Sequence, residues 1–377
     1  MPADGNVVGT VAPSRPPGPA ATPRKSVLIV DDSALIRTVV ADVISALPDF
    51  RVAGTARDGH EALEQIHALD PDIVTLDVDM PGLDGLDTLG YIMSETPRAV
   101  VMLSGAESAR LVDATLRALE LGAVDFVHKH PQSGTRQVRE IAGRLEEALR
   151  AAAVVNLRGA PMLLRHGAGQ RLSPGRASGT ARVRAVVAIA ASTGGPRALA
   201  EIIPALAADL DAAVLVVQHM PPGFTQGLAD RLQRAARLDV HEARHGERLA
   251  ANHVYLAPGG RHMTVHRDDA GACVSLDDSP PVWGVRPAAD RLFRSVADLF
   301  GPAALGVVLT GMGRDGSAGL AAIRRAGGGA LVQDAATSTI NGMPQAALDS
   351  AGADLVVPLA HVADSIRALL AERRMPL

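Results

Sequence analysis

The stretch that decides the fold is VVAIAASTGGP, residues 186–196, in which a buried-strand pattern ends in a serine and two glycines. Two later apolar runs also end near a reactive side chain, since AVLVVQ leads directly into His219 and LGVVLTGMGR leads into Asp315. In an open parallel sheet, catalytic groups collect at the carboxyl ends of the strands. We therefore expect Ser192, His219 and Asp315 to meet, and a serine, a histidine and an acid that meet there indicate a hydrolase.

Composition narrows the class of protein. The 377 residues are 47% hydrophobic, which is enough apolar material for two compact cores. A formal charge of -4 gives no general attraction to nucleic acid or anionic lipid. No apolar stretch approaches the roughly 18 residues that cross a bilayer, so we expect a cytoplasmic protein without direct membrane insertion. The single Cys273 excludes an internal disulfide.

The chain divides into four segments. Residues 1–24 are rich in Pro, Gly and Ala and are predicted to be a disordered tail. Residues 25–146 and 183–377 each alternate apolar strand patterns with amphipathic helical patterns. This alternation predicts an α/β fold with two doubly wound parallel sheets. Residues 147–182 are predicted to be the end of a helix and a flexible linker, because Arg, Gly, Pro and Ser then mix without periodicity.

Reactive side chains also follow the strand patterns of the first domain. VLIV runs into Asp31 and Asp32, IVTL into Asp77, AVVML into Ser104, and VDFV leads to Lys129. Three carboxylates at one point are unfavourable without a cation, and Mg²⁺ prefers oxygen ligands. Asp77 is then a candidate nucleophile toward a phosphoryl donor, with the lysine and the serine stabilising the transferred group. Taken singly, each acid is also typical of a helix cap or a turn.

Residues 26 to about 146 resemble the receiver domain of two-component response regulators, through the motifs VDDS and LDVDMPGLDG and the later serine and lysine. The resemblance implies a flavodoxin-like fold and phosphorylation of Asp77 by a histidine kinase. It also implies a Mg²⁺ ion at the phosphorylation site. The protein ligands of that ion would be Asp31, Asp32, Asp77 and the main-chain carbonyl of Asp79.

The same resemblance gives the switch residues of the receiver, which are Ser104, Phe126 and Lys129. The chain departs from the family pattern at His130, which separates the lysine from Pro131, whereas receivers place the proline directly after the lysine. This departure bears on the proline turn and on the placement of the lysine amine.

Acyl transfer is the chemistry that the second set of strand ends would support. His219 would take the proton of Ser192, Asp315 would orient the imidazole, and main-chain amides would hold the oxyanion. This chemistry requires no cofactor. A glycine-rich turn that opens a helix can instead bind phosphate, although residues 192–196 lack the lysine and spacing of a P-loop.

Residues 183 to about 375 resemble the catalytic domain of the chemotaxis protein-glutamate methylesterases, which has a Rossmann-like fold. The matching motifs are ASTGGP, QHMP, YLAPGGRHM, RPAAD and TGMGRDG. The resemblance implies a Ser192, His219 and Asp315 triad, with the Met312 amide in the oxyanion site. It implies hydrolysis of γ-glutamyl methyl esters on chemoreceptor cytoplasmic helices to glutamate and methanol, with glutamine deamidation in some members. Candidate substrate contacts are Thr193 and Arg286; the arginine has a purely structural alternative.

Together the two halves predict a phosphorylation-activated methylesterase that serves adaptation in chemotaxis or a related pathway. Its partners would be methylated chemoreceptor cytoplasmic domains and a histidine kinase, and it would be recruited to receptor arrays in the cytoplasm. An alternative is a response regulator whose second half is a protein-binding adaptor. A DNA-binding regulator is disfavoured, because the carboxyl half has no helix-turn-helix pattern or basic stripe. Trp283 and Phe293 are expected to contribute to packing, with recognition as the alternative.

Overall fold

A computed structural model describes residues 23–105, 109–129, 135–157 and 183–373 of the chain. Two parallel sheets organise these residues, one in each half. Most of the predicted tail, the predicted linker from residue 158 onward, and His130 lie outside the described residues.

The first sheet has five parallel strands in the order β2-β1-β3-β4-β5. This order is that of a flavodoxin-like sheet, with its switch point between β1 and β3. The strands are β1 (Lys25–Val30), β2 (Phe50–Ala56), β3 (Ile73–Asp77), β4 (Ala99–Ser104) and β5 (Asp125–His128). The helices are α1 (Ala34–Ala46), α2 (Gly59–Leu69), α3 (Gly85–Glu95), α4 (Ala109–Leu121) and α5 (Thr135–Ala153).

The second sheet has seven parallel strands in the order β14-β13-β12-β6-β7-β9-β8, and an antiparallel hairpin of β10 and β11 stands apart from it. The strands are β6 (Val186–Ala191), β7 (Ala213–Gln218), β8 (Asp239–Glu242), β9 (His253–Leu256), β10 (His262–Asp268), β11 (Gly271–Asp277), β12 (Ala304–Val308), β13 (Gly329–Gln333) and β14 (Leu355–Val357). The helices are α6 (Gly195–Ala205), α7 (Phe224–Ala235), α8 (Ala289–Phe300), α9 (Ser317–Arg325), α10 (Gly342–Ala351) and α11 (Val362–Arg373).

Both sheets are covered on both faces, which explains why their central strands are apolar at most positions. In β6, Val187 and Ile189 pack toward one group of helices, while Val186 and Ala188 pack toward the other. The predicted pair of doubly wound parallel-sheet folds is thus confirmed.

The switch point of the second sheet lies between β6 and β12. The chain builds outward from β6 through β7 and then returns to add β12 on the other side of β6. Ala190 pairs with Val308, and Ala191 pairs with Gln218, so the carboxyl ends of the three strands are level. Such an edge is where α/β folds bind ligands, because the helices diverge there.

Helices α4 and α7 bring the two halves into contact. Phe126 at the end of the first sheet packs on Phe224 with ring centroids 4.5 Å apart. The helices approach closely at Gly227, where an added Cβ would lie 2.8 Å from Val112 Cγ1. One hydrophobic cluster therefore continues from the first sheet into the second.

Ion pairs also join helices α4 and α7. Arg231 of α7 donates through Nε and Nη2 to the Glu120 carboxylate of α4, at 2.5 and 2.6 Å, and through Nη1 to Asp113 at 2.9 Å. Two-point pairing of a guanidinium with a carboxylate is directional as well as attractive. The contact therefore fixes the orientation of one helix on the other. Among the described residues, no helix has both the length and the apolar character needed to cross a membrane.

The burial of Phe293 on α8 gives a test of the packing. Its side chain is 0% exposed in the core of the second sheet. We expect Phe293→Ala to lower the free energy of unfolding by about 3–5 kcal/mol, because the ring leaves a cavity. Urea denaturation measures the change. Leu35→Ala, at a side chain that is 70% exposed, is the control and should change stability by less than about 0.5 kcal/mol.

Candidate active site

The three predicted strand-end residues line one cavity. Ser192 follows β6, His219 follows β7, and Asp315 follows β12 within a glycine-rich turn. His219 Nε2 lies 2.8 Å from Asp315 Oδ2. No hydrogen bond joins Ser192 Oγ to the imidazole within the described part of the chain, but both side chains face the same space. The edge of the sheet thus brings the three residues together.

Asp315 is held at the start of α8. Its carboxylate accepts the main-chain amides of Ala289 and Asp290 at 2.6 and 2.9 Å, and that of Gly316 at 3.0 Å. The first amides of a helix have no partner within the helix and favour a negative charge. Burial acts to raise the pKa of Asp315, but the hydrogen bonds from His219 and from these amides outweigh it and leave that pKa below its ordinary value. The acid is therefore an anion placed to orient the imidazole.

Gln218 and Gly311 position the serine. The Gln218 side-chain amide donates to the main-chain carbonyls of Ser192 and His219, at 2.9 and 3.1 Å, and so ties together the ends of β6 and β7. Gly311 passes so close to Ser192 that an added Cβ would lie 2.7 Å from the serine Cβ. A residue with a side chain at this position would displace the hydroxyl.

Both halves of the molecule form the walls of the cavity. Asp125, Phe126 and Glu147 line it from the first half, opposite Ser192 and Met312 of the second. Thr193, beside the serine, donates through Oγ1 to Asp125 Oδ2 at 3.4 Å. Burial raises the pKa of Asp125. The first half therefore covers the space beside the serine.

Of the other predicted site residues, Met312 lines the cavity and Arg286 does not. The Met312 amide has no hydrogen-bond acceptor within the described residues, and Met312 lines the cavity. Arg286 is not among the residues that line it, and its guanidinium donates to the main-chain carbonyls of Asp278 and Ser279 at 2.7 and 3.1 Å. These bonds are those of the structural alternative; the substrate roles of Thr193 and Arg286 stay predictions.

Sequence reasoning gave no role to Asp290 and the wrong environment to Trp283. Asp290 is 0% exposed and accepts hydrogen bonds from Gly319 N and from the Trp283 indole at 2.7 and 2.9 Å. An acid in the first turn of a helix normally indicates only a favourable charge near the helix end. Trp283 is 56% exposed at the rim of the cavity, whereas Phe293 packs as expected. Only the tight turn that carries the tryptophan explains this exposure.

The predicted phosphoacceptor residues also meet, at the switch point of the first sheet. Carboxylate oxygens of Asp31, Asp32 and Asp77 lie within 4.8 Å of one another. Lys129 Nζ is 2.8 Å from Asp31 Oδ2 and 2.7 Å from Asp77 Oδ2. The exposed Asp79 donates its amide to Asp77 Oδ1 at 3.3 Å. Grouped carboxylates of this kind are the donors that Mg²⁺ prefers, so the residues fit that ion.

Burial and the nearby charges determine the pKa of Asp77. Burial raises the pKa of Asp77 to about 6, against the opposing effect of Lys129 and with a further increase from Asp31. Within the described residues, the buried Ser104 hydroxyl has no hydrogen-bond partner. A buried hydroxyl without a partner is costly, and here it lies at the end of β4 next to the acceptor strand β3. The predicted phosphorylation of Asp77 would give this hydroxyl a partner.

Known proteins resemble both halves of the chain. Residues 187–366 match the CheB methylesterase family, and residues 27–138 match the response regulator receiver domain family. A protein-glutamate methylesterase/protein-glutamine glutaminase of Symbiobacterium thermophilum is 44% identical over 357 residues, which cover 92% of this chain and 97% of that protein. One of the same name from Pyrococcus horikoshii is 42% identical over 344 residues, covering 90% and 92%. The crystal structure of the Thermotoga maritima CheB methylesterase catalytic domain, 38% identical, covers 49% of this chain and 98% of that one, with a TM-score of 0.48.

The class of protein is a response regulator receiver joined to an α/β esterase domain. The chain belongs to the CheB methylesterase family, because its relatives match it over nearly their whole length. The family predicted from the motifs is confirmed. A receiver domain in general implies a Mg²⁺ site at the position of phosphorylation.

Substitution of Asp315 tests the site. We expect Asp315→Asn to reduce hydrolysis of p-nitrophenyl acetate by about 10³–10⁴-fold, because the imidazole loses its orienting anion. The wild type should also be more stable than the variant at neutral pH, because the pKa of Asp315 is lowered in the folded state. This difference should shrink as the pH falls below the ordinary value of 3.8 and through the lowered pKa. Ester assays and urea denaturation across pH measure both effects.

Asp298→Asn is the matched control, since Asp298 is an exposed acid on the same helix α8. It should leave both the ester hydrolysis and the pH dependence of stability unchanged. Equal behaviour of the two variants would contradict the role of Asp315.

Proposed function

We propose that the chain hydrolyses γ-glutamyl methyl esters on the cytoplasmic domains of chemoreceptors, and that phosphorylation of Asp77 activates it. The observation that carries the proposal is the His219–Asp315 pair beside Ser192, in a cavity whose other wall belongs to the receiver. Relatives named protein-glutamate methylesterase/protein-glutamine glutaminase support both the ester substrate and a glutamine substrate.

The hydrogen bond to Asp315 decides which imidazole nitrogen acts as the base. Because His219 Nε2 donates its proton to Asp315, neutral His219 presents Nδ1 as the acceptor toward Ser192. Nδ1 takes the Ser192 proton as Oγ attacks the ester carbonyl carbon, and Asp315 stabilises the imidazolium that forms.

The tetrahedral intermediate needs donors for its oxyanion. The Met312 amide, which has no acceptor within the described residues and belongs to a residue that lines the cavity, supplies one of them. When the intermediate collapses, the imidazolium protonates the methoxy oxygen, and methanol leaves the acyl-enzyme. A water molecule activated by the same Nδ1 then releases glutamate and restores Ser192. With a glutamine substrate, the first leaving group is ammonia.

Phosphorylation acts through the contact between the halves. A phosphoryl group on Asp77 gives Ser104 its missing partner and pairs with Lys129, and this rearrangement changes the position of Phe126. Asp31, Asp32, Asp77 and the Asp79 carbonyl would hold Mg²⁺, which would neutralise charge on the phosphoryl group. Since Phe126 packs on Phe224, its movement loosens the cover over Ser192.

The partners and boundaries follow from the same proposal. A histidine kinase supplies the phosphoryl group, and receptor arrays are where the substrate is found. Residues 25–146 are the regulatory domain, 147–182 connect it to the next, and 183–377 form the catalytic domain.

Methanol release tests the activity. The full-length chain is incubated with a methylated chemoreceptor fragment, with and without acetyl phosphate and Mg²⁺. We expect the phosphodonor to raise methanol release by about tenfold or more, a change of about 1.4 kcal/mol. Ser192→Ala should abolish release under both conditions, because no acyl-enzyme forms. Asp77→Asn should keep the basal rate and lose the increase. Release by Ser192→Ala would overturn the nucleophile, and an increase in Asp77→Asn would overturn the acceptor.

The ion pairs of Arg231 test the closed contact. Arg231→Gln removes its bonds to Glu120 and Asp113 and should raise the activity without phosphodonor by about three- to tenfold, because the cover opens more often. The maximum with phosphodonor should be unchanged. Arg234→Gln, at an exposed position on the same helix, is the control and should behave as the wild type. An unchanged basal rate in Arg231→Gln would argue against autoinhibition by this contact.

A further inference from the structure

Trp283 occupies an unusual position at the rim of the cavity. It forms a two-residue turn with Gly284, closed by hydrogen bonds of 3.1 and 3.0 Å between Val282 and Val285. The backbone φ angles of the turn residues are 54° and 79°. Positive φ is unfavourable for a bulky side chain, and tight turns of this kind prefer Asn or Gly there. The turn nevertheless carries an indole that is 56% exposed, so neither backbone preference nor core packing explains it.

Hydrogen bonds hold the indole in place and connect it to the catalytic acid. Its Nε1 donates to Asp290 Oδ2 at 2.9 Å, and the main-chain amide of Asp290 donates to Asp315 Oδ1 at 2.9 Å. One fully buried residue thus joins the exposed ring to the acid that orients His219. A side chain fixed in this way is preorganised for contact with a ligand, because it loses little conformational freedom on binding.

Arg314 adds a positive charge to the same surface. Its Cζ lies 5.4 Å from the centre of the Trp283 ring, and the side chain is exposed. No carboxylate pairs with it within the described residues, whereas Arg291 and Arg261 pair with Asp277 and Asp278. Stacking holds the guanidinium while leaving its donors available.

The opposite wall shows which chemistry this surface faces. The receiver lines the cavity there with the carboxylates of Asp125 and Glu147, together with Arg144, which pairs with Glu147 at 3.3 Å. In the closed protein, an apolar ring and a free cation thus face a partly acidic wall. A ligand that replaces this wall in the open protein meets the same ring and cation.

We propose that Trp283 and Arg314 form a specificity site for the substrate protein. The site binds a glutamate that neighbours the ester-bearing residue on the same helical segment. The aliphatic stem of that glutamate packs on the indole, and its carboxylate pairs with the guanidinium. Acidic neighbours therefore select the esters that Ser192 hydrolyses. The inference rests on the proposed function and adds a preference that the triad alone does not provide.

The test compares a protein substrate with a small ester, using the full-length chain with acetyl phosphate and Mg²⁺. Trp283→Asn removes the indole and keeps a residue that tolerates the turn. Arg314→Glu reverses the charge, and Arg314→Lys is its matched control. For a methylated chemoreceptor fragment, kcat/KM should fall about tenfold in Trp283→Asn and in Arg314→Glu, mainly through KM. Arg314→Lys should fall about threefold or less. Hydrolysis of p-nitrophenyl acetate should stay within about twofold of the wild type in both Arg314 variants. In Trp283→Asn it should fall less than hydrolysis of the receptor fragment, although this variant also removes a hydrogen bond to Asp290.

A charge swap makes the assignment specific. Replacing the acidic neighbours of the ester with lysine in the receptor fragment should lower kcat/KM for the wild type. The same replacement should restore kcat/KM for Arg314→Glu. Equal losses on both substrates would show a structural role and overturn the inference. Variants that hydrolyse the receptor fragment at the wild-type rate would also overturn it. Absence of any receptor hydrolysis by the wild type would instead overturn the proposed function, so the two failures are distinguishable.

Discussion

The carboxylate of Asp315 is the interaction on which the catalytic half depends. It accepts three main-chain amides and faces His219, so one buried anion joins the turn after β12, the start of α8 and the end of β7. The parallel register places these parts at one edge, and the amides at the helix start stabilise the charge. Without that charge, the amides and the imidazole would have no common acceptor. The geometry of the site and the packing of α8 therefore share a single cause.

The predicted phosphoacceptor site stabilises its buried negative charge in a different way. Both sites lie at the switch point of a parallel sheet, where strand ends concentrate polar side chains. In the second half, helix amides neutralise one acid; in the first, three acids are balanced by Lys129 and are suited to a divalent cation. The first arrangement holds a fixed charge, and the second accepts a change of charge. One suits catalysis at constant geometry, and the other suits a switch.

Much of the fold and site could be predicted because the signals are local. An apolar run that ends at Ser192 or Asp77 fixes both a strand and the edge at which its last side chain lies. The contact between α4 and α7 could not be predicted, since Arg231 and Glu120 are ordinary charged residues until two helices pack together. Trp283 misled for a similar reason. Aromatic residues usually pack, and only the geometry of the turn exposes this one. Likewise, the role of Asp290 depends on its hydrogen bonds to the Trp283 indole and to Gly319, which its residue type does not reveal.

The shared cavity has a thermodynamic consequence. The space beside Ser192 is bounded by Asp125 and Phe126, and the proposed mechanism requires the contact between Phe126 and Phe224 to open before a receptor segment enters. In that mechanism, binding of the receptor and closure of the cover exclude each other. Coupling between two equilibria is reciprocal. If phosphorylation raises the affinity for the receptor, bound receptor must shift the phosphorylation equilibrium toward the phosphorylated form by the same factor. The proposed mechanism therefore predicts that bound receptor favours the phosphorylated form of the protein.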